Sequence, residues 1–210
     1  MGAFEVGQLA EALYGDYMSH AGMGVLLAHP AGLAAIERLE AENRGPAIVP
    51  IAPVLRNDGT SIWYSISHYL RQSKTQAFSE TFERLWVGGA LLTLGDALAA
   101  EEYFDRGPDL ELVRHLRNGI AHGNRFNLRN GEPRRLARFT GPDQRLMSDG
   151  VTSTPPGDAN TFEITPGLQG QQVLFGFMGA GDICDLLQFV GVRLIRMGNG
   201  DPPMDLFPQR

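Results

Sequence analysis

Apolar residues recur at helical spacing along much of the chain. Residues 4–19 carry the first such pattern, and Pro30 begins a second one in the segment PAGLAAIERLEAEN. The strongest pattern covers residues 76–103, and its apolar stripe consists of Phe78, Phe82, Leu85, Leu92 and Leu98. Residues 180–197 repeat the pattern near the C-terminus. The fold is therefore predicted to be mainly α-helical.

One stretch between these helices departs from the pattern. Residues 44–60 contain three prolines and two glycines, which exclude a regular helix. They predict an extended connection that ends in a turn at residues 57–59. Residues 61–71 fit the spacing of a strand as well as that of a helix, and we favour the helix.

A second departure lies between residues 124 and 177, where turn residues dominate. Within it, residues 162–164 and 173–177 are short runs rich in aromatic and β-branched residues, as in strands. We predict that these two runs form the arms of a β-hairpin.

The length of 210 residues suffices for one substantial core, so a single domain over residues 1–210 is expected. In this interpretation residues 1–60 are an N-terminal helical extension, and residues 124–177 are a β-rich insertion. Residues 180–197 are the C-terminal helix of a bundle.

Composition narrows the function classes. The net charge of -6 argues against a surface broadly built for nucleic acid, so such contact would need a local basic patch. Of the 18 basic residues only Lys74 is a lysine, which reflects either a GC-rich genome or a need for guanidinium groups that bind phosphate. Cys184 is the single cysteine, which excludes an internal disulfide and favours a cytoplasmic location. No run of about 18 apolar residues predicts a membrane span.

The most unusual segment is RHLRNGIAHGN, residues 114–124, in a helix predicted to begin at the N-cap Asp109 and to end near Gly123. At about 100° per residue, the buried side consists of Leu112, Val113, Leu116 and Ile120. The opposite, exposed stripe consists of His115, Asn118 and His122. Arg117 lies at the edge of the apolar face, roughly 140° from His122. A regular helix therefore does not direct Arg117 and His122 at one target.

Two arrangements would bring Arg117 and His122 together. In the first, Gly123 adopts a left-handed conformation and ends the helix, which releases His122 from ideal helical geometry. In the second, two copies of the helix meet in a homodimer, with Arg117 of one copy facing His122 of the other. Either arrangement places a titratable imidazole beside a permanent positive charge.

The run RNGIAH, residues 117–122, resembles the signature of the HEPN superfamily (higher eukaryotes and prokaryotes nucleotide-binding domains), which is an arginine, a polar residue, three further residues and a histidine. The resemblance covers residues 76–123 and 180–197. It implies a HEPN-like helical bundle with a small β-hairpin insertion before the C-terminal helix. Members typically dimerise, and many are metal-independent ribonucleases of toxin-antitoxin, phage-defence and RNA-processing systems. An RNA substrate, a homodimer, an antitoxin or regulatory protein partner and no cofactor are therefore expected.

The chemistry that the resemblance implies needs no metal. His122, with an ordinary pKa of about 6.5, would act as general base or acid in attack by the RNA 2'-hydroxyl. Arg117 would stabilise charge on the phosphoryl oxygens, and Asn118 would orient His122 or the phosphate. A 2',3'-cyclic phosphate and a 5'-hydroxyl are the expected products. The substrate-binding rim would consist of Arg114, His115 and Arg125.

Other interpretations of the same residues stay open. Arg117 would also suit an ion pair with Asp109, Glu111 or another acid, and His122 would suit an ordinary C-terminal cap. In HEPN toxins that a nucleotidyltransferase antitoxin modifies, a tyrosine stands two positions after the motif histidine, whereas this chain has Asn124. The alternative function is therefore a non-catalytic HEPN module that binds a nucleotide, an RNA or a protein.

Overall fold

The computed structural model describes residues 1–42, 54–62, 75–129, 131–141 and 160–202. Five α-helices lie within these ranges, and we number them in chain order: α1 (Ala3–Ala28), α2 (Pro30–Glu42), α3 (Gln76–Ala100), α4 (Pro108–Ala121) and α5 (Ala180–Asn199). Short 3-10 helices cover Phe104–Arg106 and Pro166–Leu168. The prediction of a mainly helical fold is confirmed.

The described strands are short and form two antiparallel pairs. Strand β1 (Val54–Leu55) pairs with β2 (Ser61–Ile62), and β3 (Arg138–Thr140) pairs with β4 (Thr161–Glu163). The predicted turn between β1 and β2 is confirmed, and Gly59 has the positive φ of 81° that this turn requires. The preference for a helix over residues 61–71 is wrong at its first two residues, and residues 63–71 lie outside the described ranges.

The predicted hairpin is wrong in its partners. Strand β4 supplies residues 161–163, but it pairs with β3 in a register that places Phe139 opposite Phe162. Residues 173–177 form a tight turn instead, because the N–H groups of Phe177 and Met178 both donate to the Val173 carbonyl. Alternation of apolar residues identifies a strand-like run, but it carries no information about which distant run becomes its partner.

Among the described residues the chain divides into two compact units. One comprises Met1–Tyr17 with Glu83–Arg210, and the other comprises Met18–Phe82. The candidate motif lies in the first unit, together with the N-terminal residues of α1. The expected single domain with a 60-residue extension stays a prediction.

The core of the first unit lies between helices that cross closely. Its fully buried side chains include Leu91, Leu94, Leu112, Leu116, Leu187 and Val190. α1 crosses α5 at two glycines: a Cβ on Gly7 would lie 2.8 Å from the Gly191 carbonyl oxygen, so only glycine permits this approach. Two adjacent glycines of α3 differ in their surroundings: Gly88 faces Ile120 of α4, whereas Gly89 is exposed.

No described helix combines the length and the apolar character that a membrane-spanning segment requires.

Candidate functional site

The ends of α4 fix where the candidate residues lie. Gly107 is the N-cap and Pro108 the first helical residue, so the prediction of Asp109 as N-cap is wrong. Asp109 lies within the first turn, 2% exposed, and forms an ion pair with Arg193 of α5. The helix ends at Ala121, with His122 as the C-cap. The predicted termination is confirmed, because Gly123 has a φ of +83°.

Arg117 is held against α3 by Asp96. Its Nε and Nη2 atoms donate to Asp96 Oδ1 at 3.0 and 2.5 Å, and its Nη1 atom donates to Asn118 Oδ1 at 3.2 Å. The expected ion pair of Arg117 therefore exists, but with Asp96 rather than with Asp109 or Glu111. Both partners reach solvent, since 35% of the Arg117 side chain and 62% of the Asp96 side chain are exposed.

Gly95, the residue before Asp96, also positions Arg117, and we call Gly95, Asp96 and Asn118 together the seat of Arg117. A Cβ on Gly95 would lie 2.8 Å from Arg117 Cβ and 2.6 Å from Arg117 Cγ, so the stem of Arg117 occupies the space that a side chain would need. The contacts with Asp96 and Asn118 use three of the five guanidinium N–H bonds. Two donors of a positioned, partly exposed cation therefore remain for an anion.

His122 and Asn118 are accessible at the same end of the helix. His122 is exposed, and its imidazole makes no hydrogen bond or ion pair with any residue that the structure describes. Its backbone N–H donates to the Asn118 carbonyl at 3.1 Å, so it is tied to α4 although its φ of -100° and ψ of 34° are not helical. Asn118 is half-buried. The imidazole is thus free to act on a ligand.

His115 does not lie where the helical wheel predicted it. It was expected on the exposed stripe beside Asn118 and His122, but it is only 3% exposed, and that expectation is wrong. A helical wheel assumes one buried side, whereas α4 is also packed against β3 and against the loop that carries Glu132. These elements come from later in the sequence, and they cover the face that carries His115.

His115 belongs to a charge cluster that we call the inner cluster: Glu111, Arg114, His115 and Glu132. Arg114 donates to both carboxylate oxygens of Glu111, at 3.0 and 2.6 Å, and to Glu132 Oε1 at 3.4 Å. Its Nη2 atom lies 3.0 Å from His115 Nε2. Arginine only donates, so this contact is a hydrogen bond only when Nε2 carries no proton, and the same nitrogen lies 3.6 Å from Glu111 Oε1.

The electrostatics of the inner cluster agree with that protonation state. Burial, followed by the positive charge of Arg114, lowers the pKa of His115. The hydrogen bond to Glu111 raises the pKa of Arg114, which keeps the guanidinium charged. Arg114 and His115 were predicted to bind substrate, but in this arrangement they bind two carboxylates and each other.

Arg125, the remaining predicted substrate-binding residue, lies on the loop that follows α4. It is exposed, its backbone N–H donates to the Gly119 carbonyl, and its Nη1 atom donates to the Gly170 carbonyl. A side chain on Gly119 would collide with Val173, so the loop and the turn at residues 173–177 lie directly on the motif helix. Arg125 is thereby fixed close in sequence and in space to the end of α4.

Sequence reasoning missed Gly95 and Asp96 of α3 and Glu132 of the inner cluster, and it named Glu111 as a partner of Arg117 rather than of Arg114. The signal for the first pair was a Gly-Asp step inside a strongly helical stretch, where glycine has a cost unless another element approaches. Glu132 gave no signal, because only the folded loop brings it to Arg114.

Among the described residues, no group of three His, Cys, Asp or Glu side chains is arranged to hold a metal ion. Cys184 is buried in α5. Comparisons with protein-family models, with curated proteins and with solved structures give no significant match to this chain.

Proposed function

We propose that the protein is a metal-independent RNA endonuclease of the HEPN type, with Arg117, Asn118 and His122 as its catalytic residues. The observation that carries this proposal is the seat of Arg117. Asp96 and Asn118 hold its guanidinium at the surface with two N–H donors unused, and the exposed imidazole of His122 lies at the end of the same helix.

Each group has a defined task in the cleavage. The RNA 2'-hydroxyl attacks the adjacent phosphorus while a His122 imidazole accepts its proton. The two free N–H groups of Arg117 bind the phosphoryl oxygens and stabilise the charge that grows on them. The bond from phosphorus to the 5'-oxygen breaks, and that oxygen receives a proton from an imidazolium. The products are a 2',3'-cyclic phosphate and a 5'-hydroxyl.

A homodimer supplies the two imidazoles that this acid-base scheme requires. One His122 acts as base and the second, from the other copy, acts as acid. Asp96 is the positioning residue, because it fixes one edge of the Arg117 guanidinium and leaves the remaining donors in a constant direction. A role in toxin-antitoxin or defence systems, in the cytoplasm, is part of the same proposal.

The direct test is incubation of the purified protein with a mixed RNA pool in EDTA. His122→Ala and Arg117→Ala are compared with His29→Ala, which removes a different exposed histidine. We expect cleavage to cyclic-phosphate ends by the wild type and by His29→Ala, and loss in the other two variants. Unchanged cleavage in either motif variant overturns the site assignment.

A mixing experiment tests the composite site. If each cleavage uses the His122 imidazoles of both copies, equal amounts of wild-type and His122→Ala protein give roughly a quarter of the wild-type activity at the same total concentration, because only about a quarter of the dimers keep both imidazoles. Roughly half of the wild-type activity after subunit exchange, verified by differently tagged copies, would place the complete site within one copy.

The alternative function is a HEPN module that binds RNA or a nucleotide without cleaving it. The observation that favours it is the ion pair of Arg117 with Asp96, which already neutralises part of the cation. RNA binding that depends on Arg117, without cleavage under any of these conditions, would support this alternative.

A further inference from the structure

The loop that follows α4 carries a concentration of positive charge that is unusual for this chain. Five arginines lie within residues 125–138, and all are exposed: Arg125, Arg129, Arg134, Arg135 and Arg138. The same segment contains one acidic residue, Glu132, which is already bound by Arg114. In a protein of net charge -6, this arginine segment is a local basic surface.

The arginine segment is fixed to the fold through its inward-facing residues. Phe126 and Ala137 are buried, and their backbones bond to Gln171 and Ile164. Between them, Glu132 Oε2 accepts from the backbone N–H of Arg129. The arginines next to these positions therefore extend from backbone that is bonded to other elements of the fold.

Three of the five guanidinium groups have no partner among the residues that the structure describes. Arg125 donates to the Gly170 carbonyl and Arg135 pairs with Asp105 at 3.3 Å. The side chains of Arg129, Arg134 and Arg138 make no ion pair or hydrogen bond with the described residues, although Arg138 stands opposite Glu163 in the β3–β4 register. These three exposed cations can therefore bind an external anion.

We propose that the arginine segment binds the phosphate backbone of the RNA strand on one side of the cleaved phosphate. The inference rests on the proposed function in taking RNA as the substrate. Planar guanidinium groups bind phosphate oxygens through paired donors, and all the basic groups of this surface are arginines.

The position of the segment favours a nucleic acid over an acidic protein. It begins three residues after His122, and its first backbone N–H bonds to Gly119 within the motif helix. A strand bound at the end of α4, beside His122, would therefore meet this segment first at Arg125. Phosphates recur at every nucleotide, which matches cations repeated along an extended segment.

The test measures binding separately from cleavage. A fluorescent single-stranded 20-nucleotide RNA of mixed sequence is titrated with the full-length His122→Ala protein at 50 and 200 mM salt. The triple variant Arg129→Ala, Arg134→Ala, Arg138→Ala is made in the same background. Its control replaces three other exposed arginines, at positions 38, 56 and 106, and lowers the net charge by the same amount.

Loss of three phosphate contacts lowers the slope of log affinity against log salt by about 2, since each contact contributes about 0.7 for a single strand. The triple variant should then lose about 20-fold less affinity between the two salt concentrations than its parent does. The control should keep the parental slope. Equal slopes in all three proteins, or equal losses in both triple variants, overturn the proposal.

Two further outcomes distinguish this inference from binding of an acidic protein and from the proposed enzymatic function. If polyglutamate displaces the RNA as well as unlabelled RNA does, the surface is a site for acidic protein and the proposal falls. If the salt slope changes as expected but the wild-type protein does not cleave RNA, the RNA-binding surface is supported and the proposed enzymatic function is contradicted. A thermal unfolding scan of each variant verifies that the chains compared are folded.

Discussion

The two halves of α4 carry similar side chains and place them in opposite environments. In the first half, Glu111, Arg114 and His115 lie within the inner cluster, and His115 is 3% exposed. In the second half, Arg117 is only partly covered and His122 is exposed. The first half contains an arginine and a histidine, and so does the second half together with its C-cap His122. Residue type alone therefore does not separate a structural pair from a candidate catalytic pair.

Coverage by distant elements causes the difference. The loop with Glu132 and strand β3 close over the first half, and they supply a second carboxylate for Arg114. On the second half, Val173 and the loop at Arg125 cover Gly119, whereas Gly95 and Asp96 of α3 hold Arg117 and leave part of its guanidinium in solvent. A buried charge has to be fully paired, whereas a partly exposed one keeps donors for a ligand.

The largest predicted difference is between replacing His122 and replacing His115, in their effects on the cleavage rate and on stability. His122→Ala should lower the rate of RNA cleavage by about 10²- to 10⁴-fold, because it removes the proposed general acid-base group. Its free energy of unfolding should stay within about 0.5 kcal/mol of the wild type, since the side chain is exposed. His115→Gln should do the reverse and keep most of the cleavage rate while lowering stability. Single-turnover cleavage and urea unfolding measure both, and the opposite ranking would contradict the comparison.

The second largest predicted difference is between the effects of Arg114→Ala and Arg117→Ala on the free energy of unfolding. Arg114→Ala leaves the buried carboxylate of Glu111 without its two-point partner, and we expect a loss of about 2–3 kcal/mol in the free energy of unfolding. Arg117→Ala removes an ion pair that is largely in solvent, and we expect a loss of about 1 kcal/mol or less. Equal losses in urea unfolding would show that the exposed pair is not the weaker one.

Two glycines of α3 test the seat of Arg117 with a smaller change. Gly95→Ala places a methyl group against the stem of Arg117, so it should cost about 1–2 kcal/mol and lower the cleavage rate. Gly89→Ala is the matched control on the same helix, where a Cβ meets nothing within 4 Å. It should stabilise the protein by up to about 1 kcal/mol and leave cleavage unchanged. Normal cleavage by Gly95→Ala would mean that the position of Arg117 is not critical.

The smallest expected effect is the pH dependence of the inner cluster. Because burial lowers the pKa of His115, the unfolded chain takes up this proton at a higher pH than the folded chain does. The resulting stability is complete above about pH 6.5 and is lost as the pH falls below that value. The free energy of unfolding should therefore decline less between pH 7.5 and 5 in His115→Gln than in the wild type. His122→Gln is the exposed control, and identical slopes for His115→Gln and the wild type would exclude this contribution.

The sequence was a good guide wherever a pattern repeats within one element. Helical spacing located α3 and α5 within a few residues, and Gly123 marked the end of the motif helix. It failed for the hairpin and for His115. In both cases the outcome depends on residues far along the chain, and the local sequence pattern carries no information about them.

The sequence by itself determined that this chain is mainly helical and that RNGIAH, residues 117–122, ends a helix with an arginine, an amide and a histidine in reach of solvent. Only the tertiary structure decided that Asp96 and Gly95 seat Arg117 and that Glu132 encloses Arg114 and His115. Helix formation and termination depend on neighbours a few residues apart. Burial, ion pairing and protonation depend on which distant element packs on each face of the helix, and that packing exists only in the folded chain.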